Sequence, residues 1–378
     1  MKNMLKKLGV VLSLLVGSTS LQAQSSDPFG DFNPRAYKDN MIIKAQVKQN
    51  GNVVTDALVA VYCENELRGK KNVGNGTNPQ IAYLQVYANS TGSNQYLYFK
   101  VYTNGVTFTY NPDPDIIFSS NGEIGTESEP YIITLPVSLA NNADNSSVLT
   151  TYHGRTCDIV LTDRTLYKDG EWNTLCLPFD VTIAGSVLDG DNVDVRTLGS
   201  SEFSNGVLTL NFTDEGGVTQ LEAGTPYIIK WDKAEGYDAA DPDTRDLKNP
   251  VFTGVTINKT MNNIPTDYVD FKGTYEPMAF DTENKSILLV GGNNLYWPQA
   301  GASIKACRAY FQLNDVNGVR EFHLNFGEEK TTGISLTPDP SRGGEGSSYW
   351  YSLDGRKLNE KPTTKGIYVN RGRKIVIK

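Results

Sequence analysis

Beyond the first 23 residues, apolar side chains occupy alternate positions in most hydrophobic runs of this chain. Such runs fill residues 41–110, among them MIIKAQVK, ALVAVYC, IAYLQVYA and YLYFKVYT, with NG, GNGTNP and NSTGSN segments between them. A period of two places successive side chains on opposite faces of a strand, while Gly, Asn and Pro favour turns. With PYIITLPV at 130–137, the pattern predicts an N-terminal β-sandwich (Ig-like) domain over residues 28–140.

A second series of strand-like runs follows, and none of them shows a helical period over several turns. Its members include CDIVLT, WNTLCLPFDVTI, PYIIKW, ACRAYFQL and REFHLNF. We therefore expect a second β-sandwich domain over residues 150–327, and an all-β fold for the chain as a whole. The polar run at 141–147 is predicted to link the two domains.

The two ends of the chain differ from these blocks. Residues 1–23 begin with lysines, continue with an apolar run and end in small residues, which is the order of a secretory signal peptide. The apolar run is shorter than the roughly 20 residues that span a bilayer, which favours a cleaved signal peptide. The alternative interpretation of residues 1–23 is an uncleaved signal anchor. Residues 328–348 hold few large apolar side chains and are predicted to be a flexible linker. Residues 349–378 are predicted to form a small C-terminal strand module.

Composition narrows the class of protein. The 378 residues are 39% hydrophobic, which is enough for packed cores, and a formal net charge of −8 disfavours binding to a phosphate backbone. We therefore predict no nucleic-acid partner and, because no later segment is long and apolar enough, no transmembrane segment. An exported protein can form disulfides, and four cysteines can pair completely in three ways. Alternatively, the cysteines are buried, reduced thiols. The cysteines are Cys63, Cys157, Cys176 and Cys307.

Motifs for catalysis are absent from the sequence. It contains no GxSxG, no Walker-type phosphate loop and no HExxH, and its histidines are His153 and His323. His153 precedes Cys157 in HGRTC, but no signature of a thiol enzyme accompanies the pair. Three acidic clusters are better explained by turns than by calcium, since none fits a hand-type loop. They lie at 113–115, 189–194 and 241–246. No catalytic residue, metal or cofactor is predicted.

The best candidate for a binding surface comes from two runs rich in tyrosine, IAYLQVY and QYLYFKVY. We expect the aliphatic side chains of each run to be buried in the core, which places the tyrosines on the opposite face of the strand. Because only NSTGSN separates the runs, we expect a hairpin that presents all the tyrosines together. Rings with hydroxyls suit sugars and protein partners, although cross-strand tyrosine pairs also stabilise sheets without a ligand. The candidate ligand-binding residues are Tyr83, Tyr87, Tyr96, Tyr98 and Tyr102.

Segments in both blocks and in the tail follow a recognisable order. ALVAVYCENELRGKKNV carries an acidic-x-Arg-Gly turn at Glu66, Arg68 and Gly69, and EWNTLCLPFDV, LEAGTPYIIKW and ACRAYFQL follow. Together they resemble a family of exported, adhesin-like surface proteins of the Bacteroidetes. The tail, YSLDGRKL with KGIYVNRGRKIVIK, is similar to the C-terminal sorting domains of the type IX secretion system but shorter than most. The resemblance implies export through that machinery and carries no catalytic residues.

Pattern and resemblance together predict a non-enzymatic exported protein, located at the cell surface or outside the cell, with the periplasm as the alternative. The expected role is adhesion, glycan binding or surface structure, with a glycan or a surface protein as the partner. The alternative function is a secreted hydrolase that acts on glycans through two facing carboxylates. The 43 Asp and Glu residues are too many for the sequence to nominate such a pair.

Overall fold

The computed structural model describes most of the chain after the predicted signal peptide (1–23), which lies outside the described residues. The described ranges are 27–89, 95–213, 216–238, 246–291, 294–314, 318–327, 332–335, 350–352, 357–358, 362–370 and 373–377. Within them nearly all regular structure is β-strand, so the all-β prediction is confirmed. The exceptions are a 3-10 helix, Pro34–Ala36, and an α-helix, α1, Ser146–Tyr152.

The chain divides into two compact units. The first comprises Met1–Gln46 and Thr55–Tyr131, and the second Val47–Val54 and Ile132–Lys378. The units differ in extent from the predicted domains, since Val47–Val54 belongs to the second unit and the first unit ends at Tyr131.

Short strands in two sheets make up the first unit and its boundaries. Strands β1 to β10 are, in order, Asp39–Gln49, Asn52–Val53, Leu58–Cys63, Glu66–Asn72, Ala82–Ala88, Tyr96–Thr103, Val106–Tyr110, Ile116–Ile117, Glu123–Ile124 and Tyr131–Thr134. In one sheet β1 pairs with β5 in the antiparallel and with β9 in the parallel sense, and β2 and β10 complete this sheet. The other sheet has the order β4-β3-β6-β7, with β8 beside β6.

Alternation along these strands places their aliphatic side chains between the two sheets. Ile43 on β1, Leu84 on β5 and Phe99 on β6 are fully buried. The ring of Phe99 stacks on that of Tyr131 in β10, with centroids 5.7 Å apart, and so joins the two inner faces. Each such apolar side chain contributes about 1.5–3 kcal/mol through burial. The first unit is therefore a sandwich of two sheets.

The acidic-x-Arg-Gly segment lies on β4, where this strand approaches β5. A Cβ on Gly69 would lie 2.1 Å from the carbonyl oxygen of Gln85, so this backbone approach requires glycine. Arg68 Nη2 contacts Glu66 Oε2 at 3.0 Å, and its guanidinium lies 5.2 Å from the ring centroid of Tyr37. Packing within the unit therefore explains the motif.

The second unit contains more strands in smaller sheets. Strands β11 to β31 are, in order, Val137–Ala140, Thr156–Thr162, Thr165–Leu166, Asn173–Cys176, Val181–Thr182, Asp194–Arg196, Leu198–Ser204, Val207–Phe212, Gln220–Leu221, Pro226–Lys230, Leu247–Lys248, Val251–Thr256, Ile264–Pro265, Val269–Thr274, Met278–Ala279, Ile287–Gly291, Asn294–Tyr296, Ser303–Ile304, Arg308–Leu313, Glu321–Asn325 and Thr332–Ser335. The main sheets have the orders β23-β24-β29-β26-β27, β17-β18-β30-β31, β14-β20-β16 and β11-β12-β22. Pairs β13-β21, β15-β19 and β25-β28 complete the unit.

Two large apolar clusters form the interior of this unit. One contains Phe179 and Trp231, and in the other Phe271 stacks on Phe311 with ring centroids 4.5 Å apart. All four residues of β14 are buried. Burial on both faces explains why the run around TLCLPF does not alternate between apolar and polar residues.

Two segments predicted to be linkers contain ordered structure. Within 141–147, the side chain of Asn145 bonds both the N–H and the carbonyl oxygen of Ala140 and donates to the carbonyl oxygen of Tyr275. An asparagine amide can satisfy backbone groups in this way, so Asn145 is buried within a polar run that is otherwise mostly exposed. Within 328–348, β31 pairs with β30, and the rest of that range lies outside the described residues.

The C-terminal strands form one antiparallel sheet. Strands β32 to β35 are Trp350–Ser352, Lys357–Leu358, Gly366–Asn370 and Arg373–Ile377, in the order β33-β32-β34-β35. The predicted tail is therefore a strand module. No helix in the described part of the chain has the length and apolar character needed to cross a bilayer.

Candidate functional site

The five candidate tyrosines lie on two different sheets. β5, with Tyr83 and Tyr87, pairs with β1, whereas β6, with Tyr96, Tyr98 and Tyr102, pairs with β3 and β7. The expected hairpin between the two runs is therefore wrong, and the tyrosines do not share one face. A short connection does not dictate pairing, because a sandwich also joins consecutive strands across its two sheets.

The direction of the side chains along each strand is confirmed. Leu84 and Leu97 are 0% and 3% exposed, whereas Tyr96 is 48% exposed. The other four tyrosines are partly buried. Period-two alternation was therefore sufficient to separate the core side chains from the tyrosines on each strand.

Several of these rings are held by contacts within the first unit. The hydroxyl of Tyr83 donates to Glu127 Oε1 at 2.9 Å. Tyr98 stacks on Tyr62 with ring centroids 5.5 Å apart, and Tyr87 lies against an aromatic ring of the N-terminal segment. Such contacts stabilise a sheet whether or not a ligand binds.

The histidines and cysteines have ordinary structural surroundings. Nδ1 of His153 accepts the backbone N–H of Lys259 at 3.4 Å, and His323 Nε2 lies 3.1 Å from Glu321 Oε1. All four cysteines are free thiols, three of them buried. Burial raises the pKa of the partly exposed Cys157 thiol, which is the opposite of the change that activates a nucleophile.

Within the acidic cluster at 189–194, Asp194 pairs with Arg196, and turn formation accounts for Asp189. The carboxylate of Asp189 accepts the backbone N–H groups of Gly185 and Gly190 at 2.6 and 2.8 Å, and these bonds lower its pKa. In the described part of the chain, no three His, Cys, Asp or Glu side chains come together as metal ligands. Residues 239–245, which hold most of the third cluster, lie outside that part.

A cavity of about 320 Å³ in the second unit combines cationic, hydroxyl and aromatic groups. Its lining comes from β14, β26, β27, β28 and the start of β29. None of its described lining residues is Asp, Glu or His. We call it the basic cavity, and its main polar residues are Thr174, Tyr296, Ser303, Lys305 and Arg308.

Lys305 and Arg308 line the same cavity because the chain turns between them. On a regular strand, residues three apart point to opposite faces. Cys307 has a φ of 55°, in the left-handed region that is uncommon for residues other than glycine, and β29 begins at the next residue. The turn at Cys307 interrupts the alternation, which is how both cationic residues come to line the cavity.

A third cation lies behind this lining. Arg164 is 1% exposed, and its Nη2 donates to the carbonyl oxygen of Thr174 at 2.8 Å. Its Nε and Nη1 have no hydrogen-bond partner among the described residues. Burial, and secondarily the charge of Arg308, lower the pKa of Arg164. Two guanidinium groups, those of Arg164 and Arg308, therefore lie near the side of the cavity formed by Thr174 and Arg308.

Apolar groups complete the lining of the basic cavity. Leu289 and Ile304 belong to a small buried cluster against which Tyr296 packs. A Cβ on Gly291 would lie 2.5 Å from Cε1 of Tyr296, so glycine makes room for this ring. An aromatic ring beside hydroxyls and cations suits a small ligand with both polar and apolar faces, such as a sugar.

A second cavity in this unit, of about 260 Å³, contains a single carboxylate among its described lining residues. This carboxylate belongs to Asp180, and its Oδ1 accepts the backbone N–H of Ala223 at 2.7 Å. Two facing carboxylates, which glycan hydrolysis requires, are therefore present in neither cavity as far as the lining is described.

Sequence reasoning did not identify the basic cavity. Its residues come from distant parts of the chain, from Thr174 to Arg308, and no short motif connects them. The local signal was weak: two basic residues flank Ala306 and Cys307 in KACR. No family model matches this chain, and no curated protein matches it.

Proposed function

We propose that this protein is an exported, non-enzymatic binding protein that recognises glycans at the cell surface or outside the cell, with the basic cavity as its binding site. The observation that carries the proposal is that Tyr296, Thr174, Ser303 and two cationic residues line one cavity, with no acidic residue among its described lining. The volume of about 320 Å³ is at the lower end of the range for small-ligand sites, which suits one sugar ring.

Export and surface location rest on the two ends of the sequence. Residues 1–23 have the order of a signal peptide, and the tail at 349–378 is similar to the sorting domains of type IX secretion. Adhesion through a bound glycan is the role that fits both the location and the cavity.

Binding is favoured over hydrolysis for a chemical reason. A glycan hydrolase needs an acid and a second carboxylate on either side of the scissile bond. The basic cavity offers neither, and the Asp180 carboxylate of the second cavity is engaged by a backbone N–H. The tyrosines of the first unit are the weaker candidate site, because they are divided between two sheets and several are held by internal contacts.

A glycan array with the purified full chain tests the proposal. We expect selective binding that Tyr296→Ala abolishes, because the ring supplies the apolar contact in the cavity. Tyr96→Ala is the matched control, since it removes an exposed tyrosine from the first unit and should leave binding intact. Loss of binding in Tyr96→Ala alone would place the ligand at Tyr96 in the first unit, and release of shortened glycans would favour the hydrolase.

A further inference from the structure

Three cationic side chains converge at the basic cavity. Lys305 and Arg308 line it, and Arg164 contacts the backbone of Thr174 in the same lining. Removing one charge from water costs several kcal/mol, and neighbouring like charges add to that cost. An arrangement of this kind is favourable when a negative charge binds among the cations.

The described residues supply no such negative charge in the lining. No Asp or Glu is present there, and Lys305 forms no ion pair or hydrogen bond with the described residues. The Cys307 thiol interacts with Arg164, but burial raises the pKa of this thiol to about 12, so it is uncharged near neutral pH. Two donors of the buried Arg164, Nε and Nη1, also have no partner among the described residues.

We propose that the basic cavity binds the carboxylate of an acidic monosaccharide, such as a uronic acid unit of a glycan. Lys305 and Arg308 neutralise the carboxylate, and Arg164 strengthens the positive field from behind the lining. A guanidinium and a carboxylate match in geometry and form charge-assisted hydrogen bonds. This inference rests on the proposed function, since it specifies the class of sugar that the same cavity takes.

Isothermal titration calorimetry of the full chain with glucuronate, methyl glucoside and inorganic phosphate tests the inference. We expect glucuronate to bind at least about tenfold more tightly than methyl glucoside, since hydrogen bonds to charged groups contribute about 1.5–3 kcal/mol each. The affinity for glucuronate should fall as salt is added, because ions screen the attraction.

Charge-removing variants locate the site. Lys305→Gln should weaken glucuronate binding about tenfold or more. Lys285→Gln is the matched control, since it removes the same charge at a side chain that is 71% exposed and does not line the cavity. Arg164→Met replaces the buried charge with a shorter, unbranched apolar side chain. It should weaken glucuronate binding while leaving the melting temperature unchanged or higher.

The outcomes separate the inference from the proposed function. Equal affinity for glucuronate and methyl glucoside would overturn the acidic ligand and leave glycan binding standing. Binding of phosphate without any saccharide would overturn glycan binding and show a simple anion site. Binding of none of the three probes, or equal losses in Lys305→Gln and Lys285→Gln, would overturn the inference. Unchanged affinity of Arg164→Met for glucuronate would show that Arg164 does not contribute to binding the carboxylate.

Discussion

Tyr96 and Leu97 are adjacent residues with opposite surroundings, since Leu97 is 3% exposed and Tyr96 is 48% exposed. Leu97→Ala should lower the free energy of unfolding by about 2–5 kcal/mol because it leaves a cavity in the core. Tyr96→Ala should change it by about 0.5 kcal/mol or less, as is usual for a surface position. Denaturant unfolding of the two variants measures both values. Comparable losses would contradict the alternation of faces along β6.

Asp194 and Arg196 form an ion pair that is closed off from solvent. Arg196 Nε donates to both carboxylate oxygens at 2.9 and 3.1 Å, and the two side chains are 5% and 2% exposed. Asp194→Ala should lower the free energy of unfolding by about 3–5 kcal/mol, because it removes the carboxylate that Arg196 Nε contacts in a site closed off from solvent. Adding Arg196→Met should recover most of that loss, and thermal or denaturant unfolding measures both.

A matched control for this ion pair lies on the surface. Glu283 and Lys285 have the same spacing in sequence and lie 3.6 Å apart, with side chains 44% and 71% exposed. Glu283→Ala should cost less than about 1 kcal/mol, since water screens the pair. A loss as large as that in Asp194→Ala would show that burial is not the deciding factor.

At the scale of elements, the tail and β31 make contrasting contacts. Strands β32 to β35 pair with one another, whereas β31 pairs with β30 and extends a sheet of the second unit. Deleting residues 349–378 should therefore leave the melting temperature nearly unchanged. Under the proposed export through the tail, the same deletion should reduce display at the cell surface. Calorimetry and cell fractionation measure the two effects.

A longer truncation is the control for this deletion. Ending the chain at residue 327 also removes β31, whose hydrogen bonds satisfy the edge of β30. This variant should melt at a lower temperature than the one that lacks 349–378 alone. A large drop after the shorter deletion would mean that the tail packs against the rest of the second unit.

At the scale of the whole molecule, the burial of the four cysteines determines how many thiols react with a thiol reagent and how fast. All are free, and burial raises the pKa of Cys307 to about 12 and that of Cys176 further. The folded protein should therefore react slowly, mainly at the partly exposed Cys157, and the unfolded protein should react at four thiols. Titration with a chromogenic disulfide reagent counts them. Two reactive thiols in denaturant without reductant would instead reveal a disulfide.

Local pattern was sufficient for several features of this protein. Alternation with a period of two predicted the all-β fold, the strands of the tail and the buried side of β5 and β6, including Leu84 and Leu97. These features follow from the geometry of a strand, which sends neighbouring side chains to opposite faces whatever the strand pairs with. Nothing beyond each run was needed to predict them.

Pairing partners and the basic cavity required the tertiary structure. The connection between β5 and β6 is equally compatible with a hairpin and with a crossing between sheets, and long-range packing selected the crossing. Asn145 is buried because its amide meets the backbone of Ala140 and Tyr275. Thr174, Lys305 and Arg308 line one cavity only after distant strands have assembled. Contacts between residues far apart in sequence decide all of these, and a local period carries no information about them.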